Sequence, residues 1–221
     1  MIIDFFFDLW YTDSRIRERK THMFYLITIS AATVLIALMN FLIDGASRFS
    51  DFATLLLIAV LGVVAVIAID GLFAFVIRRM PERWFEPGAR LFSVGKREKD
   101  FYRRTRINQW KKHVPEWGCF TGFHKDKMRE PSDSAYLRRF LLESNYGVAG
   151  HVAGAVFGFA LLLIPPLRPL TVALPIAVVN MILSLLPTMI LRFNTPALYR
   201  LYLRSMERER KKEEEKAESL R

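Results

Sequence analysis

The chain has few of the residues from which soluble catalytic and metal sites are usually built. One cysteine, Cys119, among 221 residues excludes an internal disulfide and a cysteine-based metal cluster. Only four histidines are present. Neither His113 nor His124 is followed five positions on by the acidic residue that would make it a paired base. The sequence contains no Walker loop, no GxSxG elbow and no HExxH pair, which removes the familiar nucleotide, serine-hydrolase and zinc-protease sites. The opening MIIDFFFDLW lacks a basic n-region and a small-residue cleavage site, so it is not expected to be a cleaved signal peptide.

What the chain has instead is apolar length. Hydrophobic residues make up 52% of it, and the mean hydropathy is +0.19. They collect in four runs, residues 23–43, 53–77, 147–164 and 170–191. About 20 residues rising 1.5 Å each cross the hydrocarbon core of a bilayer, so each run reads as a spanning helix. PPLRP joins the last two as a tight hairpin. The expected fold is all-α: a membrane protein of about four transmembrane helices with a basic, aromatic-rich cap. Residues 1–22 form an interfacial segment, 23–77 and 147–191 the two helix pairs, 78–146 the cap, and 192–221 a terminal helix.

The net charge of +10 is not spread evenly. Thirty of the 32 lysines and arginines lie before the first run, between the second and third, or after the fourth. Only Arg48 and Arg168 lie in the other connections. This asymmetry is the positive-inside pattern, and it predicts an inner-membrane protein with both termini and the central stretch in the cytoplasm. The basic excess then points to anionic lipid head groups or a phosphate-bearing small molecule, not to nucleic acid.

Within this frame a few polar residues stand out. Asp70 lies in the second run, roughly 10 Å short of the basic cluster that begins at Arg78. It reads either as a site carboxylate or as a residue bonded to another span. Gly147, Gly150, Gly154 and Gly158 recur at three- and four-residue spacing, which lets helices approach closely. His151 shares their side and should face the bundle. Pro131, Ser132 and Asp133 offer a helix start whose apolar face is Tyr136, Leu137, Phe140 and Leu141. A basic helix is expected over 96–113, with Ile107, Trp110 and Val114 on one stripe. Thr195 followed by Pro196 reads as the cap and first position of the terminal helix.

Several short motifs resemble one family. They are MPERWF after a span, then FY, then INQWKKHVPEWG, a glutamate eight residues before a histidine (Glu143 and His151), and PTMILRFNTPAL closing the fourth run. Over residues 80–205 the chain resembles the glycosyl-4,4'-diaponeurosporenoate acyltransferases of bacterial carotenoid pathways. It departs at Val148, where the family tends to be acidic, and at Thr195, where an arginine often precedes the proline.

The resemblance implies transfer of a fatty acyl group from an activated donor to a hydroxyl of a membrane lipid or glycolipid. No resident cofactor or metal is implied; acyl-CoA or another acyl thioester would be a co-substrate. Such a transfer needs a general base, and histidine suits neutral pH. His151 is the candidate, with Glu143 and Asp70 as candidate carboxylates. Asn194, Lys111 or the Trp110 indole would stabilise the oxyanion. Arg106, Lys111, Lys112 and Arg192, with Trp110 as a wall, would hold the donor. Read from its neighbours alone, Glu143 is first a surface glutamate pairing with Arg139. A non-enzymatic lipid-binding or scaffold protein is the alternative. A transporter is disfavoured by the lack of an internal repeat.

Overall fold

The computed structural model describes residue 23 and residues 26–45, 48–114 and 132–219. Cys119, Trp117, His124 and the expected interfacial segment 1–22 lie outside the described residues, as does the Lys112 side chain. Among the described residues there is helix, 3-10 or π turn and connecting loop, with no strand. In chain order the helices are α1 (Leu26–Ile43), α2 (Phe49–Arg79), α3 (Lys96–Arg104), α4 (Ile107–Trp110), α5 (Ser134–Phe157) and α6 (Leu174–Ser219). Helices α1, α2, α5 and α6 are each long and apolar enough to cross a bilayer, as the four runs predict. The protein is a helical membrane protein.

Its packing follows the rules of lipid-embedded helices. Leu57, Leu61, Val64, Ile67 and Leu72 of α2 remain exposed on the bundle surface, because lipid tails satisfy an apolar side chain as well as a protein core does. Close contact is instead made where side chains are small. Ala37 and Ala59 are fully buried between α1, α2 and the hairpin, beside Val172, Ala173 and Ile176. At this end Arg168 makes a two-pronged ion pair with Asp44 at 2.6 and 2.7 Å. One turn further in, the Asn40 amide donates to Ile36 O and Thr171 O at 2.8 Å each.

The opposite, basic end is closed by the cap. Phe85 and Phe92, from two 3-10 turns, pack with Ile77, Leu142, Tyr146 and Val148 in one cluster. Tyr102 and Ile107 pack with Ile190 in another, flanked by Trp110, Val114 and Phe193. The stripe read in the sequence is therefore real, but it faces the end of α6. The helix expected over 96–113 is also broken: Arg106 adopts φ +50° between α3 and α4. A left-handed non-glycine residue is uncommon and costs of order 1 kcal/mol. That turn is what brings Ile107 and Trp110 back against α6.

Helix α5 starts where the sequence places a start. The Asp133 carboxylate accepts from Ala135 N at 2.7 Å and Tyr136 N at 3.2 Å, satisfying donors the first turn cannot pair internally. The third apolar run is the second half of this helix together with the 3-10 segment Gly158–Leu163 that follows it. The fourth run differs from expectation at its end. Thr195–Pro196 starts no new helix: α6 runs unbroken through both Pro187 and Pro196. The Thr195 hydroxyl donates back to Leu191 O at 2.9 Å instead of capping forward. α6 packs against α3 and α5 and stays helical through a residue that lacks one backbone donor. Far along α6, the Glu209 carboxylate accepts from Ser134 N at 2.9 Å and from the Ser134 hydroxyl, so the terminal helix also caps α5.

Candidate active site

Polar side chains fall into two layers along the bundle. The outer layer lies at the basic end and is densely paired. Glu143 bonds Arg78 at 2.9 Å and Arg139 at 2.7 Å, and its side chain is only 7% exposed. Arg138 bonds Glu86, and its guanidinium also lies 3.9 Å from Glu82. The Asn145 amide, fully buried, donates to Phe85 O at 2.8 Å.

Across the cap, Arg192 spends its guanidinium on four acceptors. It donates to both oxygens of Glu98 at 2.5 and 2.8 Å and to Leu91 O and Ser93 O at 3.2 Å each. The Tyr102 hydroxyl completes the group by donating to Glu98 at 2.5 Å. Arg192, opposed by burial and helped by Tyr102, holds the Glu98 carboxyl below the usual carboxylate range. Burial, reinforced by the neighbouring Glu98 charge, pushes the Tyr102 phenol up.

The inner layer lies within the apolar length and is sparsely bonded. The Asn180 Nδ2 of α6 donates to Asp70 Oδ1 of α2 and to Gly154 O of α5, both at 3.2 Å. Two glycines make the space. A Cβ at Gly154 would sit 2.7 Å from Asp70 Oδ1, and one at Gly158 would sit 2.9 Å from Asn180 Nδ2. The glycine spacing thus serves a polar contact as well as helix approach. Gly147 packs on Leu191, whereas Gly150 faces open space. Phe73 and Phe157 stack at 4.1 Å beside this cluster. His151 precedes Gly154 by three residues, less than one helical turn, and lies on the same face of α5. Among the described residues its ring has no hydrogen-bond partner.

Register shows which predicted residues share a level. Helices α5 and α6 are antiparallel, with Gly147 against Leu191 and Gly158 against Asn180. His151 therefore lies level with Pro187, and Asn194 level with Ser144. At 1.5 Å per residue, His151 and Asn194 are roughly 10 Å apart along the axes. Glu143 is about 12 Å from His151 by the same measure, and its carboxylate is held by arginines. The structure thus brings His151 and Asp70 toward one region and leaves Glu143 and Asn194 in the outer layer.

Of the donor-binding candidates, Lys111 Nζ lies 5.2 Å from the Phe193 ring centre, next to Asn194. The Trp110 indole donates to Thr105 O at 3.0 Å, and Arg106 is exposed at the cap turn. Sequence reasoning gave no role to Asn180, Glu98 or Arg78. Asn180 carried a signal all the same, as an amide inside an apolar run.

A family model described as glycosyl-4,4'-diaponeurosporenoate acyltransferase matches residues 81–204, more than half of the chain. The chain belongs to this acyltransferase family. No curated protein and no solved structure matches it. The match covers the cap, α5 and the membrane part of α6, and so includes His151, Asn180 and Asn194. Asp70, on α2, lies before it. The acyltransferase therefore draws part of its inner polar layer from outside the matched region.

Proposed function

We propose that this acyltransferase moves a fatty acyl group from a thioester donor to a hydroxyl of a membrane glycolipid, at the cytoplasmic face of the inner membrane. The observation that carries the reading is His151, a histidine with no protein hydrogen-bond partner among the described residues, held in the apolar length less than one turn along α5 from Gly154, which Asp70 approaches. An intramembrane ionisable group is costly to bury and is kept where it acts.

His151 takes the hydroxyl proton as the oxygen attacks the thioester carbonyl, then returns it to the departing thiolate. The products are an ester and a free thiol. Asp70 balances the imidazolium formed in between. In the outer layer, Asn194 and Lys111 flank the entry to the site at the end of α6. The exposed Arg106, with Lys112 beside Lys111 in sequence, supplies positive charge for the donor's phosphates. Arg192 and Glu143 hold the cap and helices in place, since Glu98 and two backbone carbonyls occupy the first and the Arg78 and Arg139 guanidiniums the second. The Trp110 indole does the same through Thr105. The thirty-to-two charge asymmetry supports the orientation, with anionic head groups around the basic end.

The test is transfer of labelled acyl chains from acyl-CoA to glycosyl-4,4'-diaponeurosporenoate by purified protein in nanodiscs. Wild type should form a labelled, alkali-labile lipid, and His151→Ala should lose at least about 100-fold in kcat. Full turnover by His151→Ala would remove it as the base.

A further inference from the structure

The inner layer has more bonding capacity than the protein uses. Asn180 places its amide nitrogen between Asp70 Oδ1 and Gly154 O. That leaves Asp70 Oδ2 and Asn180 Oδ1 as acceptors to which no described residue donates. Three helices contribute, and both glycines that would collide with the pair lack a side chain. Acceptors without donors in an apolar layer are costly, and they suit a ligand that brings O–H groups.

We infer that the Asp70–Asn180 pair is the acceptor-hydroxyl subsite of this acyltransferase, with Asn180 as the positioning residue that orients Asp70 from α6. The inference rests on the proposed function and deepens it. An acceptor hydroxyl donating to Asp70 Oδ2 lies within about one helical turn of His151 along the bundle. A neighbouring hydroxyl of the same head is then free to attack the thioester carbonyl: the C–O bond forms, the C–S bond breaks, and the proton of that second hydroxyl passes through His151 to the sulfur. The subsite reads the acceptor and not the donor. It selects lipids that carry a hydroxyl-bearing head over those that do not.

The experiment measures acceptor and donor KM separately for Asn180→Leu, for Asp70→Asn, and for the exchanged pair Asp70→Asn with Asn180→Asp. Each is checked by thermal unfolding in the same nanodiscs. Asn180→Leu should raise the acceptor KM about tenfold or more with the donor KM unchanged. The exchanged pair, which keeps one carboxylate and one amide in contact, should recover at least a third of the loss. Equal changes in both KM values, or unchanged constants, would overturn the subsite and leave Asn180 as a packing residue.

A second measurement does not need turnover: binding of glycosyl-4,4'-diaponeurosporenoate to the protein, read by native mass spectrometry. Should His151→Ala keep full activity, the proposed base fails, yet weakened binding by Asn180→Leu still supports the subsite. Unweakened binding together with an unchanged acceptor KM overturns the subsite whatever His151 does.

Discussion

The two polar layers of this bundle differ in what their side chains are bonded to. At the basic end, carboxylates and guanidiniums are matched closely. Arg192 alone meets four acceptors, and Glu143 is gripped from two helices. One turn or more inside, Asp70 and Asn180 share one bond of 3.2 Å, Asn180 makes a second to Gly154 O, and the His151 ring makes none among the described residues. A densely paired network fixes geometry and has little left with which to bind, and the Asn145 Oδ1 is the one buried side-chain acceptor there, among the described residues, without a donor. An under-bonded layer in low dielectric is poorly justified as architecture, because each unpaired group there costs more than it would at the surface. We propose that the difference separates a scaffold layer from a working one.

Removing a scaffold residue should therefore cost stability and spare chemistry. Glu143→Ala leaves Arg78 without its carboxylate and Arg139 with only Glu82, at 3.7 Å. Both arginines are half-exposed, so the expected loss is about 2 kcal/mol, below the range for fully buried pairs. Thermal unfolding in detergent reads it, and an unchanged midpoint would show that the layer does not hold α2 to α5. Arg192→Ala should cost less, about 1–2 kcal/mol, concentrated in the cap. Its signature is faster hydrogen exchange over residues 90–104 with little change in the spans.

The same clamp carries a pH dependence with a definite sign. The Glu98 carboxyl titrates lower in the folded protein than when free, chiefly through Arg192. Its contribution is complete above the ordinary carboxylate range and is lost as pH falls through the lowered folded value. Protection of α3 should hold from neutrality down to about pH 5 and fade below about pH 4. Glu98→Gln should abolish that step. The smallest effect is expected at Thr195→Val, which removes one bond to Leu191 O. About 0.5 kcal/mol or less should be lost, since back-bonded hydroxyls contribute little to a helix. A larger loss would mean that this bond holds α6 through Pro196.

Much of the scaffold could be read from the chain because periodicity and charge report it directly. The four runs, the Asp133 start and the Ile107–Trp110–Val114 stripe each depend on local spacing. The breaks could not be read in that way. Arg106 turns because Tyr102 and Ile107 must both reach Ile190, and α6 continues through Pro196 because α3 and α5 pack beside it. Both are tertiary effects that override local preference. The inner layer was half legible. His151 and Asp70 stood out as ionisable groups in apolar runs, but Asn180, which joins Asp70 to α5, is recognised only once register sets it opposite Gly154 and Gly158. Arg192 looked free in sequence because its partner Glu98 lies 94 positions away.

The central claim, that chemistry belongs to the inner layer and support to the outer, is tested most directly by one paired measurement. His151→Ala and Arg78→Ala are compared for kcat and unfolding midpoint in the same nanodiscs. The account predicts that His151→Ala unfolds like wild type and loses at least about 100-fold in kcat. Arg78→Ala should unfold earlier while keeping kcat within about threefold, a change of less than about 1 kcal/mol in the barrier. The reverse pattern, an active His151→Ala beside a stable but inactive Arg78→Ala, would contradict it.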